Sequence, residues 1–146
     1  MTENLQAFFA QNAEQPTQVE KVISKRFKDG EGQPIPFIFK PISPERDAEL
    51  KAQATKKTMI TQGKQKGQYR SEFQAAKYQN LFTIESLAFP NLKDVGLQDS
   101  YKALGEEDLY NKMLTPGEAT DAFLAAQEAN NYELDLDELV EQAKNS

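Results

Sequence analysis

The spacing of apolar positions changes period several times along the chain. Between Asn4 and Asn12, Leu5, Phe8 and Phe9 stand at i, i+3 and i+4, which predicts a short helix with one apolar face. A helix of that length is unstable alone and needs a docking surface, and Gln15-Pro16 ends it. From Thr17 to Phe27 the β-branched Thr17, Val19, Val22 and Ile23 predict a strand. Asp29-Gly30-Glu31-Gly32 then reads as a turn, and Ile35 to Ile42 as the returning arm, alternating Ile35, Phe37 and Phe39 with Pro36, Ile38 and Lys40. Pro34, Pro36 and Pro41 each lack a ladder donor, which predicts this arm at a sheet edge. Ser43-Pro44-Glu45 is a helix start, with Ser as N-cap, Pro at the first helical position and an acid in the first turn. The pattern carries that helix to about Lys57 on a weak face of Ala48, Ala52 and Thr55.

Lys51 to Arg70 holds six positive charges and no acid. With Gly63 and Gly67 inside it, the stretch Thr61 to Gln68 reads as a flexible loop. Beyond it the pattern is all helical. Ser71 is the expected N-cap of a long segment to Ala88 bearing Phe73, Ala76, Tyr78, Leu81, Phe82, Ile84 and Leu87, and Pro90 stops it. Four shorter helices follow: Leu97 to Leu104, Glu106 to Leu114, Pro116 to Asn130 and Asp135 to Lys144. Their punctuation is Gly96, Gly105, Pro116-Gly117 and Asn130-Asn131, and Thr115 to Glu118 is a capping box. The expected class is α+β: an N-terminal hairpin or small antiparallel sheet with short helices over 1–60, a flexible basic loop over 61–70, and a mainly helical region over 71–146. Whether these share one core is left open by the pattern.

Composition limits both the core and the chemistry. The chain has 146 residues, of which 38% are apolar, against roughly 45–50% in globular domains. Mean hydropathy is −0.71, so a thin core with partner-dependent segments is expected, filled mainly by nine Phe and five Tyr. Cys and His are both absent, which removes thiolate nucleophiles, disulfides, Ser-His-Asp triads and the usual zinc, haem and iron–sulfur ligands. Only carboxylate, Lys and Tyr chemistry remains. The first residues lack a basic region before a longer apolar run, and no stretch approaches the ~18 apolar residues of a membrane span. A cytoplasmic protein with no membrane partner is expected.

Charge is uneven. Residues 1–73 carry 12 Lys/Arg against 9 acids, and residues 74–146 carry 5 Lys against 14 acids, making the net −6 of the whole. The acidic half opposes a nucleic-acid partner, and the basic stretch holds one aromatic, Tyr69, where single-strand binders interleave several. Opposite charge on the two halves favours self-association or a basic partner. Asp135-Leu136-Asp137-Glu138 opens like a calcium loop, but Leu139, Val140 and Ser146 stand where a fifth-position ligand, Gly and Glu are required. Glu106-Glu107-Asp108 opens a helix, where acids favour the first turn, and no second carboxylate cluster is readable opposite it. Neither glycine pair is followed by Lys-Ser/Thr, so there is no phosphate loop. No catalytic, cofactor-binding or metal-binding residue is assigned.

Several stretches in order carry a resemblance. Asn4 to Phe8 is followed by Lys21 to Phe27, the Asp29 to Phe37 turn, and Thr55-Lys56-Lys57 after an acidic helix. Phe89-Pro90-Asn91-Leu92-Lys93-Asp94, Leu97 to Tyr101, Lys112 to Glu118 and Leu139 to Asn145 complete it. Together they resemble the XkdN-like tail assembly chaperones of tailed phages and prophages of Gram-positive bacteria. The resemblance implies a non-enzymatic protein of the host cytoplasm that holds the tape measure protein soluble, helps recruit tail tube subunits, and is absent from the mature virion. A head–tail completion protein, which would persist in purified particles, is the alternative. A chaperone for a long helical client needs docking surface and no chemistry. The expected contact residues are Lys56, Lys57, Lys64, Lys66 and Arg70 on the basic stretch and Asp135, Asp137 and Glu138 on the acidic last helix. Phe8, Phe9, Phe37 and Phe39 are expected in the core.

Overall fold

A computed structural model describes residues 4–132. In it, Val19–Lys21 (β1), Phe37–Phe39 (β2) and Leu87–Phe89 (β5) form an antiparallel sheet in the order β1-β2-β5. Val19 pairs with Phe39 and Lys21 with Phe37; on the other side Ile38 pairs with Phe89 and Phe39 with Leu87. The returning arm is thus the central strand, not an edge. Pro36 and Pro41 lie outside its three paired residues, so the N–H groups of Phe37 to Phe39 are all retained. Just beyond them, the Lys40 N–H still donates to the Ser86 carbonyl at 2.8 Å. The connecting turn forms where its glycines stand. Asp29 Oδ1 accepts from the N–H groups of Glu31 (2.8 Å) and Gln33 (3.0 Å), and Gly32 takes a φ of 83° that a side chain would resist.

Two of the helix caps are as the sequence reads. Ser43 Oγ accepts from the Arg46 N–H at 3.0 Å to start Pro44–Gln53 (α1). Thr115 accepts from the Glu118 N–H (3.3 Å) while Glu118 accepts from the Thr115 N–H (2.9 Å), opening Pro116–Ala129 (α5). Glu106–Met113 (α4) also lies where its pattern puts it.

Four expectations change. First, α1 stops at Gln53 and the chain enters Thr55–Met59 (β3), which pairs with Tyr69–Phe73 (β4) in a separate two-stranded hairpin. Tyr69 and Arg70, read as loop, are strand residues. Second, Ser71 is therefore no helix cap. Ala75–Ser86 (α2) begins after Gln74, and β5 takes Leu87–Phe89, so the second half is not all helix. Third, Asp94 rather than the next turn starts Val95–Ser100 (α3), its Oδ1 accepting from the Leu97 N–H at 2.8 Å. Fourth, the N-terminal helix shrinks to a 3₁₀ turn, Leu5–Phe8, that buries nothing. Phe8 is 81% exposed, so it and the more covered Phe9 are not core; the turn is too short to hold a face against the body. The expected helix Asp135 to Lys144 lies outside the described residues. The class is α+β, as expected.

Buried side chains form two clusters. In one, Ile23, Phe37 and Phe39 of the N-terminal sheet region meet Phe82 of α2 and Ala122, Ala125, Ala126 and Ala129 of α5. The alanines let α5 lie close over the sheet, which is how a chain poor in large apolar residues still excludes water. In the other, Ile84 and Leu92 pack with Ala103, Leu109, Tyr110 and Met113. Phe27, Leu87 and Leu114 touch both clusters. Asn130 ties the end of α5 to both neighbours: its Oδ1 accepts from the Ile42 N–H (2.8 Å) and its Nδ2 donates to Ser86 Oγ (3.0 Å).

Candidate interaction surface

The β3–β4 hairpin leaves the body as an arm. Its base is closed by the Gln74 N–H donating to the Ala54 carbonyl (2.8 Å) and by Thr55 Oγ1 donating to the Lys51 carbonyl (2.8 Å). Its tip turns through Gly63 and Gly67, both at positive φ, with the Ile60 N–H donating to Gln68 and the Gly67 N–H to Ile60. From Lys56 to Phe73 every residue is exposed except the half-buried Ile60.

Register sorts the arm into two faces, because directly paired residues share a face and neighbours alternate. One face carries Lys56 opposite Glu72 and Thr58 opposite Arg70. The other carries Thr55 opposite Phe73, Lys57 opposite Ser71, and Met59 opposite Tyr69. The second face is apolar at both ends, with Met59, Tyr69 and Phe73 all half or more exposed. Lys64 and Lys66 stand at the tip. Five of the expected contact residues are thus gathered on one arm, with Glu72 as its sole acid. None of the five makes an ion pair among the described residues, where Arg26, Arg46, Lys51, Lys77 and Lys112 all do. A protruding patch of one sign attracts an acidic surface and speeds its encounter. Asp135, Asp137 and Glu138 lie outside the described residues.

An aromatic line joins the arm to the body. Phe73 lies 5.7 Å from Tyr78, Tyr78 lies 5.8 Å from Phe82, and Phe82 lies 6.1 Å edge-on from Tyr132. The Tyr78 hydroxyl donates to Asp47 Oδ1, and burial together with that carboxylate raises the phenol above its usual range. Lys51 Nζ sits 5.8 Å above the Tyr78 ring and pairs with Asp47 at 3.1 Å.

Two of the three acids that open α4 are occupied structurally. Asp108 accepts from the Leu104 N–H (2.8 Å) and Lys112 Nζ (3.0 Å), which hold it below the ordinary range, and Glu107 lies 3.8 Å from Lys77. No cluster of three potential metal ligands occurs among the described residues. Among them, too, no helix is long and apolar enough to cross a membrane. Among the described residues the arrangement offers exposed surfaces for binding. Sequence reasoning missed the apolar face of the arm; its signal was the two-residue spacing Thr55-Lys57-Met59 and Tyr69-Ser71-Phe73, hidden beneath the run of lysines.

The chain is 35% identical over 130 residues to the protein YqbN of Bacillus subtilis, covering 88% of this chain and 84% of YqbN. It is 34% identical, with the same coverage, to XkdN of the phage-like element PBSX of the same bacterium. The crystal structure of YqbN superposes with a TM-score of 0.73 at 26% identity, covering 91% of this chain and all of that one. Residues 5–144 match the family described as phage XkdN-like tail assembly chaperone protein. The chain therefore belongs to the XkdN-like family of phage tail assembly chaperones.

Proposed function

We propose that this chain binds the tape measure protein of its phage, keeps it soluble, and helps recruit tail tube subunits around it. It works in the host cytoplasm and leaves before the virion is complete. The observation that carries the proposal is the exposed β3–β4 arm, which presents Lys56, Lys57, Lys64, Lys66 and Arg70 beside the apolar Met59, Tyr69 and Phe73. An exposed apolar strip set among cations fits an amphipathic, acidic helical face, since such a client buries its apolar stripe and meets the cations with its rim.

Co-expression with the tape measure protein tests it. The client is expected to be soluble only with the chaperone and to co-elute with several copies of it on size exclusion. A client that stays insoluble, or that is equally soluble alone, contradicts the proposal. The chain's presence in purified virions would favour a head–tail completion protein instead.

A further inference from the structure

We propose that Tyr78 is the positioning residue of the arm: clasped to α1 through its hydroxyl, it holds Phe73 and fixes the direction in which the arm's apolar face and cations point. A two-stranded hairpin is marginal by itself, and this one joins the body through single residues, Ala54 after α1 and Gln74 before α2. The two helices are therefore its stems. The bonds from the Gln74 N–H to Ala54 and from Thr55 Oγ1 to Lys51 lie at the base, where they act with little leverage on the arm's angle. Tyr78 supplies that leverage. It stands one turn into α2, and its hydroxyl donates to Asp47 Oδ1 on α1, tying one stem to the other. Lys51, one turn on from Asp47, pairs with it at 3.1 Å and lies 5.8 Å over the Tyr78 ring, and Phe82 of the core packs on the same ring at 5.8 Å. Hydroxyl and ring are both fixed. Phe73, 5.7 Å from that ring, is the arm's one aromatic contact with the body among the described residues. Arg46 and Glu85 also tie α1 to α2, at 2.9 Å, but Glu85 lies seven residues past Tyr78, about 10 Å further along the helix. A held direction spares a client the cost of ordering the arm; that use rests on the proposed function, and the clasp itself does not.

The chain has no cysteine, so two nitroxides can be placed at will. Labels at T58C on the arm and D121C on α5, both exposed positions, report the arm's direction as a distance distribution in pulsed electron spin resonance. The full chain with Tyr78 intact is expected to give one narrow distribution. Y78F keeps the ring and loses the donor, and D47A loses the acceptor; each should widen the distribution at least twofold. D47N retains the Oδ1 acceptor without the charge and should keep it narrow. E85A cuts the other tie between α1 and α2 and should also keep it narrow. Y78F removes a single oxygen from a half-buried ring, so β2 and α5 amides should exchange as in the parent while the arm loosens. Widening by E85A as large as that by Y78F would make Tyr78 one structural tie among others, and an unchanged width in both Y78F and D47A would leave it no hold on the arm; either result overturns the proposal. No client enters the measurement, so a failure here is separate from a failure of the chaperone reading.

Discussion

Glu118 serves two parts of the molecule at once. Its carboxylate completes the α5 capping box and takes a 2.5 Å bond from Arg26 Nη2, whose guanidinium also donates to the Met113 carbonyl and lies 5.0 Å over Phe27. The Arg26 bond, then Ser24, then the Thr115 N–H bring its acid constant down to about 2. A lowered carboxylate constant stabilises the fold above the ordinary value of 4.5, and that contribution is lost as pH falls through about 2. Glu118→Ala should cost about 1 kcal/mol at neutral pH, as loss of a cap does, and should flatten the acid limb between pH 4.5 and 2 in urea titrations. A wild-type acid limb in the variant would remove Glu118 as its cause. Phenylalanines divide just as sharply. Phe39 is fully buried, and Phe39→Ala should cost roughly 3–5 kcal/mol, whereas Phe8→Ala should stay within about 0.5 kcal/mol. Thermal or urea unfolding of the pair checks whether the N-terminal turn lies outside the core. Hydrophobicity alone did not separate these residues in the sequence: both are Phe at periodic positions, and what differs is the length of the element that carries each.

Elements were legible where their signals are local. Ser43-Pro44, Thr115-Pro116-Gly117-Glu118 and the Asp29 to Gly32 turn act through bonds within four residues, so their chemistry is written next to them. Elements defined by distant partners were not. The central place of β2 depends on Leu87–Phe89 joining its far side, some fifty residues along the chain, and a proline count cannot see that neighbour. The β3–β4 arm was concealed because lysines occupy strand positions that pay no desolvation when both faces are wet. An arm with so little covering should open without the core unfolding. Hydrogen exchange is expected to release the Lys56, Thr58 and Arg70 amides, which lie at the bonded pairs of the ladder, well before those of β2 and α5; equal protection would show the arm to be part of the core. Gly67 sits at φ 91° with free space around it, so Gly67→Ala strains the backbone rather than the packing. That variant should destabilise the arm by about 1 kcal/mol with little change in global unfolding.

At the scale of the whole molecule, a thin core and an exposed arm belong together. Sheet and helices close around a few Phe and a row of alanines in α5, which leaves Met59, Tyr69 and Phe73 with their neighbouring cations free to meet other surfaces. Membership of the tail assembly chaperone family gives that surface a setting, and the arm's charge gives it a handle. The sharpest measurement is binding of the tape measure protein, at low salt, by the variant K56E/K57E/K64E/K66E beside the wild type. Circular dichroism should first show the fold intact, as these four side chains are exposed. Affinity is then expected to fall at least tenfold, with the wild-type complex itself weakening as salt rises. Unchanged binding by a folded variant would contradict the assignment of the arm as the contact surface.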